Sequence, residues 1–145
     1  MFEHLRGLLR EKRETTSPED EQRLAAAVLL LEVARADFEQ QPAEQAALRK
    51  GLAREFSVSE AALEVLLTQA DARAKQSVSL FDFVQTLNRT MSPDQKRDLL
   101  KLLWEVAHAD GRIDPHEEAL LRRIADLLYL SHADFIRGKL AAGES

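Results

Sequence analysis

The chain contains no cysteine. That excludes disulfides, thiolate zinc sites, iron–sulfur clusters and cysteine nucleophiles together, and it is in keeping with a reducing compartment. Only five glycines are present, which leaves few hairpin turns, and no segment alternates apolar and polar residues with period two. No run approaches the roughly 20 apolar residues needed to span a bilayer. The opening segment Met1-Phe2-Glu3-His4-Leu5-Arg6-Gly7-Leu8-Leu9-Arg10 has no apolar h-region and no small-residue cleavage site, so it does not read as a secretory signal. A cytoplasmic domain is expected. An excess of positive charge is also missing: 25 acidic residues against 20 basic ones give a net charge of -5. A nucleic-acid partner is therefore not expected, because such proteins need a positive face to displace counterions from phosphates. Arg10, Lys12, Arg13, Arg49, Lys50, Arg122 and Arg123 sit among acids and read as solvated helix faces. No glycine-rich phosphate loop, G-x-S-x-G elbow or H-E-x-x-H pair occurs, and no organic cofactor is expected.

What the chain does have is helical punctuation. Its 145 residues, 45% hydrophobic and 31% charged, suit one globular domain with its own core. Ser17-Pro18-Glu19-Asp20 and Ser92-Pro93-Asp94-Gln95 each place a serine N-cap before proline at the first helical position. An acid or amide follows at the third, as a capping box requires. Serines 57 and 59, Ser79 and Ser131 repeat the signal, and Asp114-Pro115-His116-Glu117 gives it with aspartate as cap. Between these marks apolar residues keep helical spacing, as in Leu63, Leu66, Leu67 and Ala70 or Leu120, Leu121, Ile124 and Leu128. The pattern predicts an all-α fold, with helices over 2–13, 18–37, 43–56, 59–74, 80–90, 93–109, 115–129 and 132–141. The first carries an apolar stripe of Phe2, Leu5, Leu8 and Leu9 opposite Arg6, Arg10, Lys12 and Arg13. We read it as docking on the domain's own core rather than as a peripheral membrane helix, since the stripe is short and Glu3 and Glu11 dilute the charge.

An internal repeat organises the rest. Displaced by 73 positions, Glu32-Val33-Ala34-Arg35-Ala36-Asp37 lies on Glu105-Val106-Ala107-His108-Ala109-Asp110, and Pro42, Glu44, Ala46, Leu48 and Arg49 lie on identical residues. Ten of the nineteen positions from Leu31 to Arg49 are the same. Dropping one residue brings Phe56-Ser57-Val58-Ser59 onto Leu128-Tyr129-Leu130-Ser131. The expected layout is an appended segment 1–16 and a domain 17–145, with repeat one over 18–74, a connecting helix over 80–90 and repeat two over 93–141. The two helical-hairpin units should pack as a pseudo-twofold pair in a bundle of seven to eight helices.

Each repeat carries acids at a helix–turn–helix junction. Asp114, Pro115 and Glu117 are explained as N-cap, first and third helical positions, and Gly111 as a left-handed C-terminal cap. Asp37 and Asp110 are different. Each ends a predicted helix, where the dipole disfavours a carboxylate by about 0.3–1 kcal/mol. An Asx-type turn or a bound cation would justify them. His108, His116 and His132 read as solvated side chains rather than ligands, and Trp104 as core. Glu105-Val106-Ala107-His108 supplies one Glu-x-x-His pair, but Glu32 precedes Arg35, so a helical di-iron site lacks its second pair.

The stretch Ala109-Asp110-Gly111-Arg112-Ile113-Asp114-Pro115-His116-Glu117 resembles the A-D-G-x-I-x-x-x-E signature of the tellurite-resistance TerB-like family. With the duplication, the resemblance runs from about Leu24 to Leu140. It implies a bacterial all-helical domain that binds metal through acids near these turns, sometimes as a module of larger proteins such as a membrane-anchored DnaJ-like co-chaperone. Carried over by position, the metal-site candidates are Asp110, Asp114 and Glu117 in the second copy, with Asp37 and Glu44 in the first. The first copy departs from the pattern at Phe38 and Gln41, which replace Gly111 and Asp114. Carboxylates without cysteine select calcium, magnesium or manganese. The loop is not an EF-hand: counted from Asp110, the required glycine is Pro115 and the closing glutamate is Leu121. The leading expectation is a non-enzymatic domain whose metal state is linked to a protein partner. A metal-independent interaction module is the alternative, and a metal-dependent enzyme ranks third.

Overall fold

The structure, a computed structural model, describes residues 17–36, 42–76, 79–109 and 111–143. Seven helices and no strands occur among them: α1 (Pro18–Arg35), α2 (Pro42–Phe56), α3 (Glu60–Gln76), α4 (Leu80–Thr90), α5 (Pro93–His108), α6 (Pro115–Leu127) and α7 (His132–Gly143). The predicted boundaries agree to within about two residues. The expected helix over 2–13 lies outside the described residues.

The caps that the sequence announced are formed. Asp20 N–H donates to Ser17 Oγ at 3.0 Å, Ala62 N–H to Ser59 Oγ at 3.2 Å, and Phe81 N–H to Ser79 Oγ at 3.2 Å. Ser92 and Gln95 close a reciprocal capping box at 3.2 and 2.9 Å, and Ser131 with Asp134 closes another at 3.0 and 3.3 Å. Each box satisfies two N–H groups that the helix itself leaves without acceptors.

Helix α1 is central. The run Ala25 to Leu31 is buried on every side, as are Val33 and Ala34, which is the state an all-round apolar helix must reach. It packs against α2, α3, α4, α5 and α6. Helix α5, its counterpart under the displacement of 73 residues, packs against α1, α2, α6 and α7. Gly51 brings α2 onto α5: a Cβ there would sit 2.1 Å from Leu102 Cδ1. Helix α4 ties the halves together. Gln22 Nε2 donates to the Thr90 carbonyl at 3.0 Å, Asn88 Nδ2 donates to the Leu127 carbonyl at 2.9 Å, and Arg89 pairs with Glu21 at 2.8 Å.

The displacement found in the sequence also relates the buried positions. The buried residues of α2 are Glu44, Leu48, Gly51 and Leu52; adding 73 gives Glu117, Leu121, Ile124 and Ala125, the buried set of α6. Those of α3 are Leu63, Leu66 and Ala70; adding 72 gives Phe135, Gly138 and Ala142, the buried set of α7. Two non-glycine residues have positive φ among the described ones, Ser57 at 51° and Tyr129 at 61°. They too are matched positions, each just past the end of the second helix of its half. At Tyr129 the turn is a Schellman motif, with Leu130 N–H donating to the Ala125 carbonyl at 3.0 Å.

Candidate functional site

The α5–α6 junction is built from both ends. Helix α5 closes at Ala109, whose N–H donates to the Val106 carbonyl at 3.2 Å. Gly111 then takes φ 83° and donates its N–H to the His108 carbonyl at 2.8 Å. This is the left-handed turn anticipated for it, a conformation a side chain resists. Asp114 starts α6: its Oδ1 accepts the His116 N–H at 2.7 Å, while Glu117 Oε1 reaches back to the Asp114 N–H at 3.4 Å. The box is complete, with the Asp114 side chain also accepting from the third helical N–H. Asp114 thus caps α6.

The α1–α2 junction matches in part. Ala36 N–H donates to the Glu32 carbonyl at 3.0 Å, and α2 begins at Pro42 with Glu44 as its third residue. Asp37 and Asp110, the two candidates at the helix ends, lie outside the described residues.

Burial is what sets Glu44 and Glu117 apart. Both are 0% exposed, and they are the buried charged residues among the described ones. A buried carboxylate costs several kcal/mol unless it is hydrogen-bonded, paired or bound to a metal. A capping role needs no such burial, since Gln95 performs it from an exposed position in α5. The sequence marked Glu117 as a cap-position residue and Glu44 as its match in the first copy, but nothing local to either foretold that its carboxylate would be enclosed.

The neighbouring charges are engaged in ion pairs. Glu105, first acid of the second copy, accepts from Arg54 of α2 at 3.0 Å, and this contact raises the Arg54 pKa above its ordinary value. Arg35, which stands where the second copy has His108, pairs with Asp71 of α3. Its guanidinium, and after it Lys75, holds the Asp71 carboxyl below the usual carboxylate range. Burial opposes ionisation of Asp134, but the Ser131 hydroxyl and N–H together with Arg97 keep its carboxyl below that range as well.

One histidine departs from expectation. His116 and His132 are exposed, as predicted. His108 is half-buried, its ring centroid 5.9 Å from that of Trp104, because the indole occupies the core-facing turn directly above it. Trp104 itself is fully enclosed, donates Nε1–H to the Phe135 carbonyl at 3.1 Å and packs on the Phe135 ring at 4.9 Å. Among the described residues no group of three or more His, Asp or Glu side chains is gathered to hold a metal ion. The donors present are of the right chemistry for a hard cation, two matched buried carboxylates at the third position of α2 and α6.

The sequence profile of the family described as Tellurite resistance protein TerB matches residues 23–140, from the first turns of α1 to the last of α7. No curated protein matches the chain significantly. Among solved structures, the crystal structure of a protein of unknown function from Porphyromonas gingivalis is similar, with a TM-score of 0.63 and 22% sequence identity. The match covers 86% of this chain and 96% of that one; at this identity it speaks to the fold alone. No helix among the described residues is long and apolar enough to cross a membrane.

Proposed function

The chain belongs to the tellurite resistance protein TerB family, and we propose that it is a non-enzymatic cytoplasmic domain that binds a divalent cation at its acidic junctions and couples that state to a protein partner. The observation that carries the reading is the pair Glu44 and Glu117: carboxylates enclosed at the same position of both halves, each the third residue of its helix. Calcium, magnesium and manganese match such oxygen donors. Asp110 and Asp37 complete the candidate sets by position. Asp114 supports the site indirectly, by fixing the start of α6 through its cap.

Thermal unfolding of chelator-treated protein, titrated with each cation at fixed ionic strength, tests this. A cation at ~100 times its dissociation constant adds about 2.7 kcal/mol, a rise of several degrees at this size. The discriminating variant is Glu44→Gln with Glu117→Gln. Glutamine still closes a capping box but is a poorer donor to a hard cation. A metal-dependent rise lost in that variant supports the site. The capping geometry at Asp114 favours a second reading, a metal-independent interaction module, and unfolding unmoved by millimolar cation would select it.

A further inference from the structure

An open groove of about 750 Å³ runs along α3 on the side facing the start of α1. Its floor is Leu24 of α1 with Val58, Ala62, Val65 and Leu66. Beyond these, Gln69, Ala72, Arg73 and Gln76 continue along α3, and Asp20 and Arg23 line the groove from α1. Spaced by three and four, positions 62 to 76 make one helical face about 21 Å long. Val65 is 58% exposed.

The second half shows what this face looks like when it meets water. Leu24, Ala62 and Val65 correspond to Arg97, Asp134 and Arg137. There Arg97 Nε lies 3.3 Å from Asp134 Oδ1, and Arg137 lies 3.6 Å from the same oxygen. Three positions that form a charge network in one half are all apolar in the other. Water solvates the first set and gains nothing from the second, so the apolar strip of Leu24, Ala62 and Val65, flanked by Arg23 and Arg73, has the composition of a surface that is covered.

We propose that the occupant is the chain's own N-terminal segment, docked in the α1–α3 groove through Phe2, Leu5, Leu8 and Leu9. These residues form an apolar stripe at helical spacing, with Arg6, Arg10, Lys12 and Arg13 on the other side. A helix over 2–13 would be about 18 Å long, close to the length of the α3 stripe. The segment joins the described residues at Ser17, one turn before Asp20, which lines the groove. So short a tether makes the docking intramolecular and raises the local concentration of the stripe to the millimolar range. The mode is a helix laid apolar face down in a groove, and while docked it keeps that groove from other helices.

The absence of native cysteine allows a direct test on the full chain. Leu5→Cys or Leu8→Cys is combined with Val65→Cys or Gln69→Cys, and a control pairs the same N-terminal cysteine with Tyr129→Cys, which is 83% exposed in the other half. Under mild oxidation in dilute solution, the groove pairs should form an intramolecular disulfide, seen as a faster-migrating monomer, and the control should not. Disulfide-linked dimers, or equal trapping of the control, would overturn the proposal. A thermal cycle gives an independent reading. Leu8→Asp and Val65→Asp should each lower the Tm by about 3 °C or more, and together no further than the larger single effect. An unmoved Tm in Val65→Asp, or additive losses, refutes docking. Sedimentation of the wild type with anionic vesicles, lost in Leu8→Asp, would assign the stripe to a membrane surface and overturn it too.

Discussion

The two halves bury the same positions and differ in what surrounds them. Under the displacement of 73 residues, the buried set of α1 maps onto that of α5 except at two places: Ala25 and Val28 are enclosed, whereas Asp98 and Lys101 are exposed. The reason is α4, which packs along α1 and leaves the equivalent face of α5 to solvent. A second difference lies inside the core. Leu31 and Leu66 in the first half become Trp104 and Gly138 in the second, where a Cβ at Gly138 would sit 2.9 Å from Trp104 Cδ1. Two leucines have been exchanged for one very large and one very small residue. The comparison teaches that this architecture fixes a burial pattern more tightly than it fixes the volumes that fill it.

Exchanging residues between halves breaks that symmetry in order of severity. Val28→Lys places the charge of Lys101 under α4 and should cost about 3–5 kcal/mol, as an unpaired buried ion does. Lys101→Val should lie within about 0.5 kcal/mol of wild type; urea unfolding of the two reads the contrast. Equal effects would mean that α4 does not cover α1 as described.

Next comes the large–small pair. Trp104→Leu should cost about 2–3 kcal/mol through the cavity it leaves, and Gly138→Ala about 1–2 kcal/mol through overlap with the indole. The double variant, which moves toward the first-half arrangement, should fall short of their sum by ~1 kcal/mol or more. Strict additivity would show that the two positions do not share one space.

Acid provides a gentler probe. The carboxyls of Asp71 and Asp134 are held below the ordinary range in the fold. Their contribution is therefore complete above the unfolded-chain value near 3.9 and is lost as pH falls through the lower folded values. Thermal unfolding followed from pH 6 to 2 should show Tm falling below about pH 4. Asp71→Asn and Asp134→Asn, one in each half, should each flatten that fall.

The smallest effect concerns the matched left-handed turns. Tyr129 holds φ 61° and its side chain is exposed, so Tyr129→Gly relieves backbone strain at little packing cost. A gain of about 0.5–1 kcal/mol is expected, after glycine's added freedom in the unfolded chain is subtracted. Ser57→Gly should do the same, and a gain in one half only would show that the two turns differ.

Much of this fold was legible because its signals are local. A serine or aspartate cap followed by proline names a helix start from four residues, and the three such caps, Ser17, Ser92 and Asp114, form as read. Trp104 was legible as core from its place in a periodic run. The left-handed turns at Ser57 and Tyr129 were not, because neither position carries the glycine or asparagine that usually marks them. The half-burial of His108 was hidden as well, since it follows from the indole one turn earlier. The groove was hidden in a different way: Leu24, Ala62 and Val65 look ordinary until the fold brings α1 beside α3 and the second half supplies Arg97, Asp134 and Arg137 for comparison.

The sequence by itself determined the helix class, the helix boundaries, the repeat register and the acidic junctions, because capping, periodicity and self-similarity act over a few residues or can be counted along the chain. Tertiary structure alone decided which helices became central, which acids went inside and which apolar face the seven described helices leave open. Those outcomes depend on what each face meets across the bundle. Glu44 and Glu117 are two of 25 acidic residues in the sequence, and among the described acids it was the packing of both halves that removed these two from water.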